Sequence, residues 1–499
     1  MVSLLLFGIL SVAAPLSQAQ ADTVAQSAPA VLTLDQAIQI ALTESPTVKV
    51  ADLEVQRSEF AKKGSYAMLF PQIGASASYQ RTIKKQVMYM GGGDDDDSSG
   101  GGGMSSMMSG ILDPIMYYIN ELYKGTGVPF VPYVPAPSTT DDSNDGGIAV
   151  GRWNTFNAGI TATMPLINAQ LWQSLAISGE GVDLAVEKAR SSRLEMVNQV
   201  KQAYYGVLLA KEAHHVYKSV FDNAMQNLEL TQKKYNASKA SELDLARAKT
   251  TVANAVPNLF NSENSIYLSL WQLKAIMGID LEADIDVKDS LLVYSEGMSS
   301  VLNDSDLSLS GNTTLRQLEI QADQLANTVK MQQYAYLPTL SLAFSYSLNA
   351  MTNDFKFEEY HWTPYSYVGL SLSIPIFSGG QRLNDLRQTK VQKNQLAIQR
   401  ENTERQLRIA IRQSLSTMET AVKSHESALD ALESAQKAYD IAAKSYEIGR
   451  STLTDLDAAQ LALTQAQLAA SQAIYNYLVA KAGLESTIGA DYTAENTTK

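Results

Sequence analysis

The sequence predicts a mainly helical, internally duplicated chain in which two pairs of short strands interrupt very long helices. Two observations carry this. First, residues 446–489 repeat residues 235–278: Tyr235, Asp244, Leu245 and Gly278 match Tyr446, Asp455, Leu456 and Gly489 at one constant offset, with Ser241 opposite Thr452. Second, strand periodicity opens twice on a proline, at Pro71 and at Pro338, with Tyr79 and Tyr346 at the same distance beyond. A repeat of this size outranks any single motif, because it dictates the architecture.

In chain order, residues 1–21 read as a secretory signal: an apolar core over 4–10, then a small-residue cleavage site near Ala19 or Ala21. Residues 22–70 form the N-terminal helices of the first repeat, with Leu34, Ala37, Ile38, Ala41 and Leu42 on one face and a break at Pro46. Residues 71–168 hold the first strand pair. Ile73, Ala75, Ala77 and Tyr79 alternate with polar residues, and so do Ala158, Ile160, Ala162 and Met164 in the partner. Between them lies an insertion, about 89–152, whose GGGDDDDSSGGGG run reads as disordered and whose proline-rich end reads as an extended return path. Its four aspartates and Met104, Met107 and Met108 have no fixed geometry and read as solvated loop rather than as metal sites. Asp113 and Pro114 open at most one short helix, through Tyr123.

Residues 169–278 form the first long hairpin, whose descending helix spans on the order of 100 Å. His214 and His215 lack the i, i+4 spacing of paired metal ligands. Pro257 is expected to break or kink the return helix. Residues 279–337 are a connector without clear period, followed by a helix from Thr313. Residues 338–377 hold the second strand pair around a loop at about 351–365. Residues 378–489 form the second long hairpin and 490–499 a tail. In both hairpins the return helix opens on a capping pair, Ser241 with Asp244 and Thr452 with Asp455, and Gly449 ends the descending helix of the second.

Composition narrows the function classes. A formal net charge of −13 argues against a nucleic-acid partner, and the absence of cysteine excludes disulfides and thiolate metal sites. No nucleophile–base set, phosphate loop or metal spacing is present, so neither an enzyme nor a cofactor is expected. No run of about 18 apolar residues is present to make a membrane-spanning helix. Strands of about ten residues do suffice to cross a bilayer when tilted. Four of them cannot close a barrel, and open edges in lipid leave polar groups unsatisfied, so other subunits must complete it.

The pattern resembles the TolC-like outer membrane efflux protein family. Tyr446, Gly449, Thr452, Leu453, Asp455 and Leu456 sit where that family's second hairpin tip has Y-x-x-G…T-L-x-D, and L-T-L-x-x-A-I-x-x-A-L near residue 32 resembles its opening helix. The resemblance implies a homotrimer: a membrane β-barrel of about twelve strands, four per chain, continued by a long α-helical periplasmic barrel. It further implies outer membrane lipid around the barrel, a periplasmic adaptor protein and an inner-membrane efflux pump as partners, and export of small molecules such as drugs, metals or other toxic solutes. It also implies a closed entrance at the tips, where family members keep acids and a tyrosine–arginine network. The matching candidates are Asp244, Asp455, Tyr446, Arg450, Asp457 and Tyr235, with Ser241, Thr452 and Gly449 as caps. Arg450 stands one place before the family's arginine, and the family's second acid falls at Ala458, beside Asp457. The alternative class is a periplasmic coiled-coil adaptor or scaffold, which also places long helices around a tight tip.

Overall fold

The computed structural model describes residues 30–89, 147–298 and 308–491. The signal segment, the Gly/Asp-rich run, the methionine cluster and the short helix at Pro114 lie outside them. The chain divides into two compact units: Tyr66–Trp172 with Tyr334–Gly379, and the remainder.

The larger unit is helical. Helix α1 (Leu34–Glu44) starts at a capping box in which Thr33 and Gln36 exchange hydrogen bonds, and it buries Leu34, Ala37, Ile38 and Ala41. Pro46 opens α2 (Pro46–Ala67), where its missing N–H costs nothing. The first long hairpin is α3 (Ala169–Asn236, 68 residues) and α4 (Glu242–Met277). Pro257 lies inside α4 without ending it. Of the expected break or kink, the break does not occur: Ala248 and Ala255 before the proline and Leu273 after it are buried on one continuous helix. Helix α5 (Thr313–Tyr334) precedes the second sheet segment, and α6 (Gln381–Glu447, 67 residues) with α7 (Leu453–Ile488) makes the second hairpin.

Ile38, Val200, Tyr204, Leu208, Leu273 and Met277 from the first half meet Met418, Ile474 and Tyr477 from the second in one core. Each such side chain contributes about 1.5–3 kcal/mol when fully buried. The connector carries more structure than its sequence suggests. Strand β6 (Ile285–Val287) pairs in parallel with β1 (Ala30–Leu32), and Ile285, Val287 and Leu291 enter the core. The two return helices end alike, on left-handed Gly278 and Gly489. Arg190 of α3 ties the second end down by donating to the Gly489 carbonyl at 3.0 Å and to Asp491 Oδ1 at 3.0 Å.

The smaller unit is an antiparallel sheet ordered β2-β5-β7-β8, with β2 Gln72–Arg81, β5 Asn154–Ile167, β7 Thr339–Thr352 and β8 Thr363–Ser373. Register aligns Ala75 with Ile160 and Tyr346 on one face, and Ser76 with Gly159 and Ser347 on the other. The first face is apolar; the second carries small and polar residues, with Tyr365 and Tyr367 of β8 among them. All four junctions with helices, near Gln72, Ile167, Thr339 and Ser373, fall at one edge of the sheet. The insertion is narrower than the sequence suggests. Strands β3 (Gln86–Tyr89) and β4 (Gly147–Val150) flank it and pair as a separate two-stranded sheet. The second loop is also shorter, since β7 runs to Thr352 and β8 begins at Thr363.

Candidate functional site

The two hairpin tips are built to one plan. In the second, Gly449 takes a left-handed φ of 77°, the Arg450 N–H donates to the Ser445 carbonyl at 2.7 Å, and Thr452 is the N-cap of α7. Asp455 Oδ2 accepts from the Thr452 N–H at 3.0 Å and its hydroxyl at 2.7 Å. In the first tip, Ser238 holds the same left-handed place at φ 54°, and the Lys239 N–H donates to the Lys234 carbonyl at 2.8 Å. Asp244 Oδ2 accepts from the Ser241 N–H at 3.2 Å and its hydroxyl at 2.7 Å. Both aspartates therefore cap their helices.

The tips are bonded side by side. Tyr446, 6% exposed, packs with Ala248, Leu453 and Leu456. Its hydroxyl lies 2.5 Å from Thr231 Oγ1. The Thr231 proton already goes to the Asn227 carbonyl at 2.7 Å, so Tyr446 is the donor to Thr231. Burial raises the Tyr446 pKa, with the Asp244 and Asp457 charges adding to the effect and the Thr231 bond opposing it, so the phenol keeps that proton. The Lys234 ammonium sits 3.9 Å from the Tyr446 ring centroid and donates to the Tyr446 carbonyl. Burial lowers the Lys234 pKa, opposed by Glu447. The return helices are joined as well: Arg247 reaches Thr454 Oγ1 at 3.4 Å, and Thr251 donates to Asp457 Oδ2 at 3.3 Å.

The structure thus brings together Tyr446, Asp457, Asp244 and Asp455, the last two as caps. Arg450 and Tyr235 are exposed. Tyr235 is the repeat equivalent of Tyr446, yet it lacks the burial, because Thr231 and Lys234 lie on the face of α3 that meets the second hairpin. Sequence reasoning missed Thr231, Lys234, Arg247 and Thr251. Arg247 and Thr251 do follow Asp244 at intervals of three and seven, the spacing of one helix face. Burial raises the Asp457 pKa, against the Thr251 bond and the Arg247 charge, whereas the Thr452 hydroxyl and N–H lower that of Asp455. Among the described residues no cluster of three potential metal ligands occurs, and no helix is long and apolar enough to cross a membrane.

Comparison with known proteins gives a consistent picture. A family model described as outer membrane efflux protein matches residues 134–279 and 305–490. Outer membrane protein TolC of Escherichia coli (strain K12) is 21% identical over 346 residues, 67% of this chain and 70% of that protein. The alkaline protease secretion protein AprF of Pseudomonas aeruginosa is 26% identical over 207 residues, 41% of this chain and 43% of that protein. The crystal structure of the Campylobacter jejuni CmeC outer membrane channel superposes with a TM-score of 0.64 at 18% identity, covering 93% of this chain and 88% of that one.

Proposed function

The chain belongs to the outer membrane efflux protein family, a family of non-enzymatic channels that extend into the periplasm, and from that premise we propose that it works as a homotrimer. In this reading it receives small molecules from an inner-membrane pump through a periplasmic adaptor. The observation that carries the reading is the four-stranded sheet. It has one apolar and one polar face, and among the described residues its outer strands β2 and β8 have no partner on their outer sides. Such edges are untenable in lipid, and further copies of the chain supply the missing neighbours. The apolar face then meets lipid and the polar face lines the lumen. The edge opposite the helix junctions faces outward from the cell.

Threefold symmetry brings the hairpin tips of the copies together, so that Asp244 and Asp455 form acidic rings at the periplasmic mouth. The Tyr446–Thr231–Lys234 contacts hold the two hairpins of each copy against one another there. A coiled-coil adaptor, the alternative from sequence, has no use for a two-faced sheet at duplicated positions.

Outer-membrane fractionation with heat-modifiable trimers, together with co-purification of a transporter with the intact complex, tests the assignment. Recovery as a monodisperse monomer in mild detergent is the result that overturns it. A second reading, export of a secreted protein, is favoured by the likeness to AprF. A deletion strain separates the two: hypersensitivity to small toxic solutes supports the first, and loss of a protein from the medium supports the second.

A further inference from the structure

The chain as a whole carries a formal charge of −13, yet four cations gather at the edge of the sheet away from the helix junctions: Arg81, Lys84, Lys85 and Arg152. Their proximity follows from the ladder. Arg81 pairs in register with Asn154, and the Thr82 N–H donates to the Trp153 carbonyl at 2.8 Å, which lays residues 82–85 against residues 151–153. By strand alternation Arg81 continues the apolar row of Ile73, Ala75, Ala77 and Tyr79. It therefore stands on the face that meets lipid.

Rings contact two of these cations. The Lys85 ammonium lies 4.8 Å from the Trp153 ring centroid, and the Arg81 guanidinium 5.8 Å from that of Phe355. Among the described residues none of the four makes a salt bridge. Two carboxylates of the neighbouring loop are engaged elsewhere: Asp354 accepts from the Thr352 hydroxyl at 2.7 Å, and Glu359 pairs with Lys356 at 4.0 Å. Directly below, on the apolar face, Tyr79 stacks on Phe156 at 4.8 Å, and Tyr360 lies 5.5 Å beyond. An aromatic band at the end of an apolar strand face marks the level of the headgroups. Cations one step farther out reach the phosphates of those headgroups, and a guanidinium offers them a fork of donors.

We propose that Arg81, Lys84, Lys85 and Arg152 form a binding surface for the phosphate-bearing headgroups of outer-leaflet lipids. The inference rests on the outer membrane channel reading and on the outward placing of this edge. The test compares the wild-type protein with R81Q/K84Q/K85Q/R152Q, each purified in mild detergent in the oligomeric state it adopts. Both are exposed to diphosphorylated lipid A and to the same lipid stripped of its phosphates, and retained lipid is counted by native mass spectrometry. The wild type should retain the phosphorylated lipid preferentially. The variant should retain several-fold less of it, with equal retention of the stripped lipid by both. Should the quadruple variant not assemble, the single exposed changes K84Q and R152Q should each give a partial loss.

Equal retention by variant and wild type, or a wild type indifferent to the phosphates, overturns the proposal. So does complete displacement of the lipid by millimolar inorganic phosphate, which would mark a site for a free anion. Planar-bilayer conductance on the same preparations keeps the two readings apart. A wild type that does not conduct counts against the channel, whereas a conducting protein with unselective lipid retention sinks only the headgroup surface.

Discussion

Ser238 holds in the first tip the left-handed conformation that Gly449 holds in the second, at φ 54° against 77°. A side chain there costs about 1–2 kcal/mol, because Cβ crowds the following carbonyl. Ser238→Gly should therefore stabilise the protein by about 1 kcal/mol, and Gly449→Ala should destabilise it by a similar amount, read as opposite shifts in thermal midpoint. The two acids of the second tip differ in how they titrate. The Asp457 pKa is raised above its ordinary 3.8 and that of Asp455 is lowered below it. The stability contributed by Asp455 is thus present above 3.8 and lost as pH falls through its lower folded value. The burial cost of ionised Asp457 is present above its raised value and relieved as pH falls through it. If Asp455 with Asp244 forms the acidic mouth, a trivalent cation should block current in a bilayer. Asp244→Asn with Asp455→Asn should raise the blocking concentration by about tenfold or more, while Asp457→Asn should not. Unchanged block in the double variant reduces both aspartates to caps.

Helix α4 carries a proline, Pro257, exposed in its interior, where its missing N–H leaves one ladder bond unmade. Pro257→Ala should restore a ladder bond and raise stability by up to about 3 kcal/mol, seen in denaturant or thermal melts. A lower midpoint would mean that the proline shapes a bend the assembly needs. At the start of α7, Thr452→Ala removes the hydroxyl that accepts from the Asp455 N–H at 3.2 Å. It should cost about 0.5–2 kcal/mol while leaving cation block intact, which separates capping from charge at the mouth.

For the whole molecule, closure of the sheet by further copies is the step on which transport rests. Residues 91–110 are rich in Gly, Asp and Ser with no apolar period to bury, and they lie between the paired strands β3 and β4. Their deletion should leave trimer yield and outer-membrane delivery unchanged, because the β3–β4 pairing ends before the deleted run and resumes after it. Loss of assembly on deletion would show that the segment takes part in closing the barrel.

Local chemistry was legible in the sequence. The capping boxes at Ser241 and Thr452 need only residues three apart, and the two faces of β2, β5, β7 and β8 need only a period of two. The repeat exposed the duplicated order for the same reason. Other features required the folded chain. Tyr235 and Tyr446 are equivalent in sequence, but only Tyr446 is buried, because its partner Thr231 lies 215 residues away. The β5–β7 ladder that joins the two halves into one sheet, the parallel pairing of β1 with β6, and the passage of α4 through Pro257 were likewise invisible to local periodicity. Short-range hydrogen bonds and side-chain periods are properties of neighbouring residues, so the sequence alone determined the long helices, the four strands of the main sheet and the helix caps. Burial and strand order are properties of pairs brought together across the chain, where packing outweighs local propensity, and only the tertiary structure decided them.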